Sequence, residues 1–142
     1  MIIDADNIVD LKCTQCLKPL YIEGRLQGNY VELSKDVDGK EVITDIYLTC
    51  KHDCFRKTDE AYFQRGYNPG ACFELSDLAI PEFYLQYIHY MLYRLYNKEC
   101  IYTEEAFKQQ WKILSIVGQS VLRKETEEEQ KRLKVLQSAG FF

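Results

Sequence analysis

Four cysteines, arranged in two closely spaced pairs, place the strongest constraint on how this chain can fold. Two residues separate Cys13 from Cys16, and three residues separate Cys50 from Cys54. A chain that holds one metal ion with both pairs must bring the second pair back beside the first, whatever structure lies between them. The spacing therefore predicts an N-terminal module in which the residues between the two pairs form a structure that begins and ends at the metal site.

The setting of the six cysteines favours metal binding over disulfide formation. The N-terminus carries neither the basic start nor the apolar run of a secretory signal, so we expect a cytoplasmic protein. Stable disulfides are rare in that reducing compartment, where clustered thiols more often bind metal or carry out redox chemistry. The longest apolar-rich stretch, residues 83–96, contains several polar residues and is shorter than the roughly 20 residues that span a bilayer. We therefore expect no membrane partner.

The residues between the two cysteine pairs favour β-strands. Three runs rich in β-branched and aromatic residues are separated by glycine-containing turns: residues 21–22, 30–33 and 42–48. Apolar residues alternate in the third run, so we expect Val42 and every second residue up to Leu48 to share one face of a half-buried strand. The pattern predicts a small antiparallel sheet that brings the second cysteine pair back to the first.

The first pair has the spacing of a metal-binding turn. Two thiolates two residues apart can point towards one tetrahedral ion while backbone amides of the turn stabilise the sulfurs. Zn²⁺ is the ion that four cysteines commonly hold in structural sites. The sequence therefore predicts one structural Zn²⁺ with four ligands: Cys13, Cys16, Cys50 and Cys54.

This arrangement resembles zinc-ribbon and treble-clef zinc fingers over about residues 11–66. In those folds a knuckle and a hairpin precede the second ligand pair. The chain departs from their usual pattern, because the stretch between its pairs exceeds the common spacing of about 15 to 20 residues and three residues separate the second pair. The spacing of Cys50 and Cys54 suits two ligands on one face of the first turn of a helix, which favours the treble clef.

Two alternatives to this ligand set remain open at the level of sequence. His52 is also an acceptable zinc ligand and could replace a cysteine. Cys13 and Cys16 alone match the C-x-x-C motif of thiol redox proteins, although that motif normally opens a helix, and here Pro19 follows. Cys72 and Cys100 are isolated, and we expect them to be thiols without a role in the site.

The second half of the chain favours helices. Residues 53–65 and 82–97 read as helices, and a third can begin with Thr103 as its N-cap. Apolar residues recur along it at steps of three and four and form one stripe: Phe107, Trp111, Leu114, Val117 or Gly118, Val121 and Leu122. We predict an α+β fold with a zinc-binding, β-rich module at residues 1–70 and a C-terminal helical hairpin within residues 71–142, packed as one unit.

The aromatic residues of the second half point to binding rather than catalysis. Tyrosines recur every third residue along the predicted helix 82–97, so some of them must reach the surface, where tyrosine is enriched at interfaces. The residues that could contact a protein partner or form a homodimer are Tyr87, Tyr90, Tyr93, Phe141 and Phe142. No phosphate loop or hydrolase motif is present in the sequence. We therefore expect an adaptor, regulator or inhibitor and not an enzyme.

Nucleic-acid binding is the alternative function that the sequence suggests. Four basic residues lie close together among aromatic residues, a combination suited to phosphate contact and base stacking: Lys51, Arg56, Lys57 and Arg65. Acidic neighbours and a net charge of −4 argue against this function.

Overall fold

A four-stranded sheet with helices on both faces forms the centre of the molecule. The computed structural model describes residues 11–50 and 53–141. Its strands are β1 (Tyr21–Ile22), β2 (Arg25–Leu26), β3 (Asn29–Val37), β4 (Lys40–Thr49), β5 (Asn68–Glu74) and β6 (Cys100–Tyr102). Its helices are α1 (Asp53–Gln64), α2 (Leu75–Leu78), α3 (Pro81–Tyr96), α4 (Glu104–Gly118) and α5 (Glu127–Ser138). The prediction of a mixed α+β protein with a small antiparallel sheet is confirmed.

The strand order of the central sheet is β5-β3-β4-β6, and β1 and β2 form a separate hairpin. β3 pairs antiparallel with both β4 and β5, whereas β6 pairs in parallel with β4. Asp38 and Gly39 connect β3 to β4 with φ values of +52° and +80°, the conformation expected of Asp-Gly in a tight hairpin. The sequence indicated neither β5 nor β6.

A β-bulge in β4 changes which of its side chains face the core. The register places Thr44 opposite no residue of β3. Ile43 is fully buried and Val42 is only half-buried, the reverse of the predicted alternation. Beyond the bulge, Ile46 and Leu48 are buried as expected. The predicted alternation is therefore wrong before the bulge, because one extra residue moves the following side chains to the opposite face.

The two faces of the sheet are covered by different parts of the chain. On one face, Val31, Leu33 and Tyr47 pack against aromatic side chains in and just after α1. The other face carries the main core, which includes residues of α3, α4 and α5 as well as Leu11 and Cys13. The predicted boundary at residue 70 falls inside β5, and the main core contains residues from both sides of it.

Helices α3 and α4 lie side by side, with β6 between them in the sequence. The Tyr84 hydroxyl donates a hydrogen bond of 2.7 Å to the carbonyl oxygen of Leu114. A Cβ atom at Gly118 would lie 2.6 Å from that hydroxyl, so the glycine leaves room for the Tyr84 side chain against α4. None of the helices in the described residues is long and apolar enough to cross a membrane.

Helix α4 begins as predicted, and its buried face overlaps in part with the predicted apolar stripe. The side chain of Thr103 accepts a hydrogen bond of 3.1 Å from the amide of Ala106, which confirms the N-cap. Phe107 and Trp111 are 48% and 66% exposed, whereas Leu114 and Val117 of the predicted stripe are buried, so the prediction is only partly right. The core side also includes Gln110, whose amide finds partners among buried hydroxyl groups. Packing against the rest of the core therefore decides which of the apolar residues of α4 are buried.

A polar network lies in the main core between the sheet and the two long helices. Both terminal nitrogens of Arg94 donate to Oε1 of the fully buried Glu32, each at 3.0 Å, and the Tyr102 hydroxyl donates to Oε2 at 2.9 Å. Gln110 Nε2 lies 2.9 to 3.3 Å from three tyrosine hydroxyls. We refer to these residues as the polar network: Tyr30, Glu32, Tyr87, Arg94, Tyr102 and Gln110.

Candidate metal centre

The four cysteines of the two pairs form one cluster, referred to below as the thiol cluster. Their Sγ atoms all lie within 4.8 Å of one another. A tetrahedral ion bound about 2.3 Å from each sulfur separates the sulfurs by about 3.8 Å, and the Sγ atoms of Cys16 and Cys50 are 3.8 Å apart. All six cysteines are free thiols. The cluster therefore has the spacing and the donor atoms for one metal ion.

The first pair is held by a tight loop of residues 12–19, which we call the metal loop. Its two ends meet where Lys12 and Pro19 form an isolated β-bridge. Within it, the amide of Cys13 donates to the carbonyl of Lys18, and the amide of Leu17 donates to the carbonyl of Cys13, each at 2.9 Å. Leu17 adopts a φ of +62° to close the turn. The backbone alone thus folds this segment so that both thiols point to one place.

The residues between the first pair fasten the metal loop to the rest of the fold. The amide of Thr14 donates to the carbonyl of Leu48 at 2.7 Å, and the Thr14 side chain accepts from the amide of Leu48 at 3.1 Å. The hydroxyl of Thr58 on α1 donates to the side-chain oxygen of Gln15 at 3.4 Å. Sequence reasoning missed these contacts, since nothing in the C-x-x-C spacing indicates what the two intervening side chains touch.

The second pair lies at the junction of β4 and α1. Cys50 directly follows β4, and Cys54 is the second residue of α1. Gly28 fits closely against this end of the sheet, because a Cβ atom there would lie 2.2 Å from the carbonyl oxygen of Thr49. Its φ of +93° also requires glycine. The turn before β3 therefore packs directly on the end of β4 that carries the second pair.

The four thiols differ in how readily they lose a proton. Burial raises the pKa of Cys13, but backbone amides including that of Cys16 donate to its sulfur and lower the pKa to about 7. Hydrogen bonding to Cys54, together with burial, raises the pKa of Cys50 to about 12. The pKa of Cys54 is also raised: the thiol of Cys50 lowers it, and burial and the neighbouring sulfurs outweigh that effect. The Cys13 thiolate therefore forms readily, and its negative charge disfavours ionisation of the neighbouring thiols. A bound cation would relieve this repulsion.

The thiol cluster lies at the surface, and its four thiols range from fully buried to exposed. Cys13 is fully buried, Cys50 and Cys54 are half-buried, and Cys16 is exposed. Cys72 is exposed on β5 and Cys100 is buried on β6, and neither belongs to the cluster, as expected. His52 lies outside the described residues, so its role as an alternative ligand stays a prediction.

The residues proposed for partner binding differ in how exposed they are. Tyr87 is buried in the polar network, whereas Tyr90, Tyr93 and Phe141 are 48%, 56% and 49% exposed. The three basic residues that are described are exposed on or just after α1: Arg56, Lys57 and Arg65. Phe142 and Lys51 lie outside the described residues. Comparisons of the chain with models of protein families, with curated proteins and with solved structures find no match.

Proposed function

We propose that the thiol cluster holds one structural Zn²⁺ and that the protein acts by binding another protein, as an adaptor, regulator or inhibitor without catalysis. The observation that carries the metal assignment is the set of four sulfur atoms within 4.8 Å of one another. Soft thiolate ligands in a tetrahedral set favour zinc or iron, and zinc is the common ion of such sites in structural modules.

The proposed zinc ion would connect three separate pieces of the chain: the metal loop, the end of β4 and the start of α1. The hairpin of β1 and β2 has only two residues in each strand, and such a hairpin is marginal by itself. In small zinc modules the bound ion contributes about 10 to 16 kcal/mol. The order of loop, hairpins and helix, with Cys54 in the first turn of α1, supports the treble-clef version of the resemblance.

A structural role for the ion follows from its ligand count. A catalytic zinc site keeps one position open for water or substrate, whereas four thiolates occupy all positions of a tetrahedron. The proposed ion therefore stabilises the fold and does not activate a substrate. The function must then lie on the surfaces that this fold presents.

The exposed apolar side chains of α3 and α4 support a protein-binding role. A groove of about 540 Å³ between the two helices is bordered by Leu85, Trp111 and Leu122. These three side chains are 65%, 66% and 87% exposed. Contiguous apolar surface of this kind on a soluble fold commonly marks a site of protein contact.

Nucleic-acid binding is the second candidate, and one observation favours it. Phe63 on α1 is 73% exposed, on the same helix as the exposed basic residues Arg56 and Lys57. Asp53 lies 3.7 Å from Arg56, which reduces the positive potential of this surface. Single-stranded oligonucleotides at low salt should therefore bind weakly or not at all, and tight binding that weakens with added salt would favour this candidate instead.

Native mass spectrometry of protein purified without added metal tests the metal assignment. We expect one zinc ion on each wild-type chain and none on Cys50→Ser, because three thiolates cannot complete the set. Cys72→Ser is the matched control, since Cys72 lies outside the thiol cluster, and it should keep its zinc. A folded, metal-free wild-type protein would contradict the assignment and return Cys13 and Cys16 to thiol redox chemistry.

The protein-binding role needs a separate test, because a zinc-loaded protein could still lack a partner. Tagged wild type and the double variant Trp111→Ala, Leu122→Ala are purified from cells that express the protein. Lys112→Ala, exposed on the same helix as Trp111, serves as the control. We expect a co-purifying protein with wild type and the control that is reduced with the double variant. Identical recovery from all three would count against this surface.

A further inference from the structure

The two edge strands of the central sheet differ in how well they are protected from further pairing. β6 has three residues, and charged side chains surround it, including Lys98, Glu99 and Glu104. β5 has seven residues, of which only Glu74 is charged, and it pairs with β3 alone among the described residues. Short length and flanking charge are the usual means of blocking an edge strand. β6 has both, whereas β5 is blocked only in its first half, by Pro69 and by the irregular pairing with β3 between Pro69 and Cys72.

The open part of β5 is the segment after Pro69. Proline has no amide hydrogen, so it offers nothing to a further strand at that position. Beyond the irregularity, residues 72–74 pair regularly with β3 and extend over about 10 Å at 3.3 to 3.4 Å per residue. In an antiparallel pair, alternate residues direct their N–H and C=O groups away from the neighbouring strand. This segment therefore presents a row of hydrogen-bonding groups that an extended backbone would satisfy.

An aromatic pocket lies beside that edge, on the face of the sheet that α3 covers. Its walls are formed mainly by Phe73, Phe83, Gln86, Tyr87, Tyr90 and Phe141. Its volume is about 230 Å³, below the range of about 300 to 1,000 Å³ that is typical of sites for small-molecule ligands. A pocket of this size suits one aliphatic or aromatic side chain. A strand added beside β5 would direct alternate side chains towards α3, where the pocket lies.

We propose that β5 binds an extended segment of a partner protein as a fifth strand, with one large apolar side chain of that segment in the aromatic pocket. The edge supplies hydrogen bonds that hold any extended backbone, and the pocket selects the side chain. This proposal rests on the protein-binding role proposed above, places it at a surface separate from the groove between α3 and α4, and names the conformation of the partner.

A peptide of another protein fits this site better than a second copy of the chain pairing through its own β5. On the face towards α3, β5 carries Ala71 and Phe73. Phe73 is 7% exposed and stacks on Tyr30 with ring centroids 4.7 Å apart, so it is not free to enter another molecule's pocket. Ala71 is too small to fill it. A second copy would therefore leave the pocket empty, whereas a foreign strand can supply the missing side chain.

The test uses a displayed library of short random peptides, selected against the full-length wild-type protein after its metal content is measured. Peptides that bind are synthesised with a fluorescent label, and their affinities are measured by anisotropy. Hydrogen–deuterium exchange then locates the binding site on the chain. We expect the selected peptides to share one large apolar residue and to slow exchange within residues 68–74.

Two tyrosines on α3 provide a matched pair of variants. Tyr90 lines the pocket and Tyr93 does not, although both are about half-exposed. We expect Tyr90→Ala to weaken peptide binding by about tenfold, an effect typical of an aromatic contact at the centre of an interface, and Tyr93→Ala to leave it unchanged. Gln86→Trp, which fills the pocket from an exposed helix position, should also abolish binding. Circular dichroism verifies that each variant is folded.

Three other outcomes would overturn the proposal. Peptides that protect the groove between α3 and α4 would place protein binding there and leave the protein-binding role intact. A wild-type dimer whose interface protects β5 would make a second copy the occupant. A selection that yields no binder at all would count against both the strand-addition site and the broader protein-binding role.

Discussion

The thiol cluster and the polar network are two groups of polar side chains that the fold brings together in opposite ways. In the polar network, the guanidinium group of Arg94 lies 3.0 Å from the carboxylate of Glu32, and hydroxyl and amide groups complete the remaining contacts. In the thiol cluster, the four side chains are all of one kind. Each can become negative, and the main influences on the pKa values of Cys13, Cys50 and Cys54 are burial, backbone amides and neighbouring thiols rather than Lys or Arg.

The charges of the polar network are therefore balanced by its own side chains, whereas the thiol cluster needs a bound ion to balance its charge. Burial lowers the pKa of Arg94, but the carboxylate of Glu32 more than compensates, so its guanidinium stays charged. Burial also raises the pKa of Tyr30 and of Tyr102, which therefore remain neutral hydroxyls that can donate. The network thus needs nothing from outside. The thiol cluster has donors of one sign only, and a cation would supply its missing charge.

Removal of the metal from the thiol cluster should have the largest effect on the stability of the protein. A strong zinc chelator added to the wild-type protein should lower its free energy of unfolding by several kcal/mol, since structural zinc contributes about 10 to 16 kcal/mol in small modules. Thermal unfolding followed by circular dichroism, with and without chelator, measures the effect. An unchanged melting temperature after confirmed loss of the ion would show that the thiol cluster does not stabilise the fold.

Breaking the polar network should have the next largest effect on the free energy of unfolding. Arg94→Met leaves the carboxylate of Glu32 buried without its cation, and such a change typically costs about 3 to 5 kcal/mol. Urea unfolding measures the loss, and the variant should keep its metal, because the network contains none of the four cysteines. Lys108→Met removes an exposed ion pair with Glu104 and should cost less than about 0.5 kcal/mol. Equal costs for the two variants would contradict the role assigned to the network.

A partly exposed ion pair at the start of α5 should have the smallest effect. Arg123 lowers the pKa of Glu129 below its ordinary value of 4.5 by donating to its carboxylate. The contribution of a depressed carboxyl is therefore complete above pH 4.5 and is lost as the pH falls through the lower folded-state pKa. Arg123→Ala should cost below about 1 kcal/mol at pH 7. The difference in unfolding free energy between wild type and variant should shrink towards pH 3, and a constant difference would contradict this origin.

Features that depend on neighbouring residues were predictable from the sequence. The N-cap of Thr103, the Asp38-Gly39 turn and the helix after Cys50 follow from local preferences, and the structure contains all three. The bulge at Thr44 was not predictable, because it depends on how two strands pair. The short strand β6 was also missed, since three residues carry too little pattern to indicate a strand.

For the candidate site, too, some features were predictable from the sequence and others were not. The spacing of the four cysteines indicated the ligand set, and their convergence within metal-binding distance is confirmed. The roles of Thr14 and Gln15 emerged only from the contacts of the metal loop with β4 and α1. Local spacing indicates which atoms can bind an ion, but the elements that hold a loop in place come from distant parts of the chain.

The sequence by itself determined the chemical character of the thiol cluster and the order of the elements around it, because both depend on residue types at short separation. Only the tertiary structure decided that Glu32 is buried opposite Arg94 and that Trp111 faces solvent while Gln110 faces the core. Apolar periodicity ranks the faces of a helix by hydrophobicity, whereas burial depends on the partners that packing supplies. In this protein the buried face of α4 is apolar apart from Gln110, which faces the core because the polar network supplies its hydrogen-bond partners.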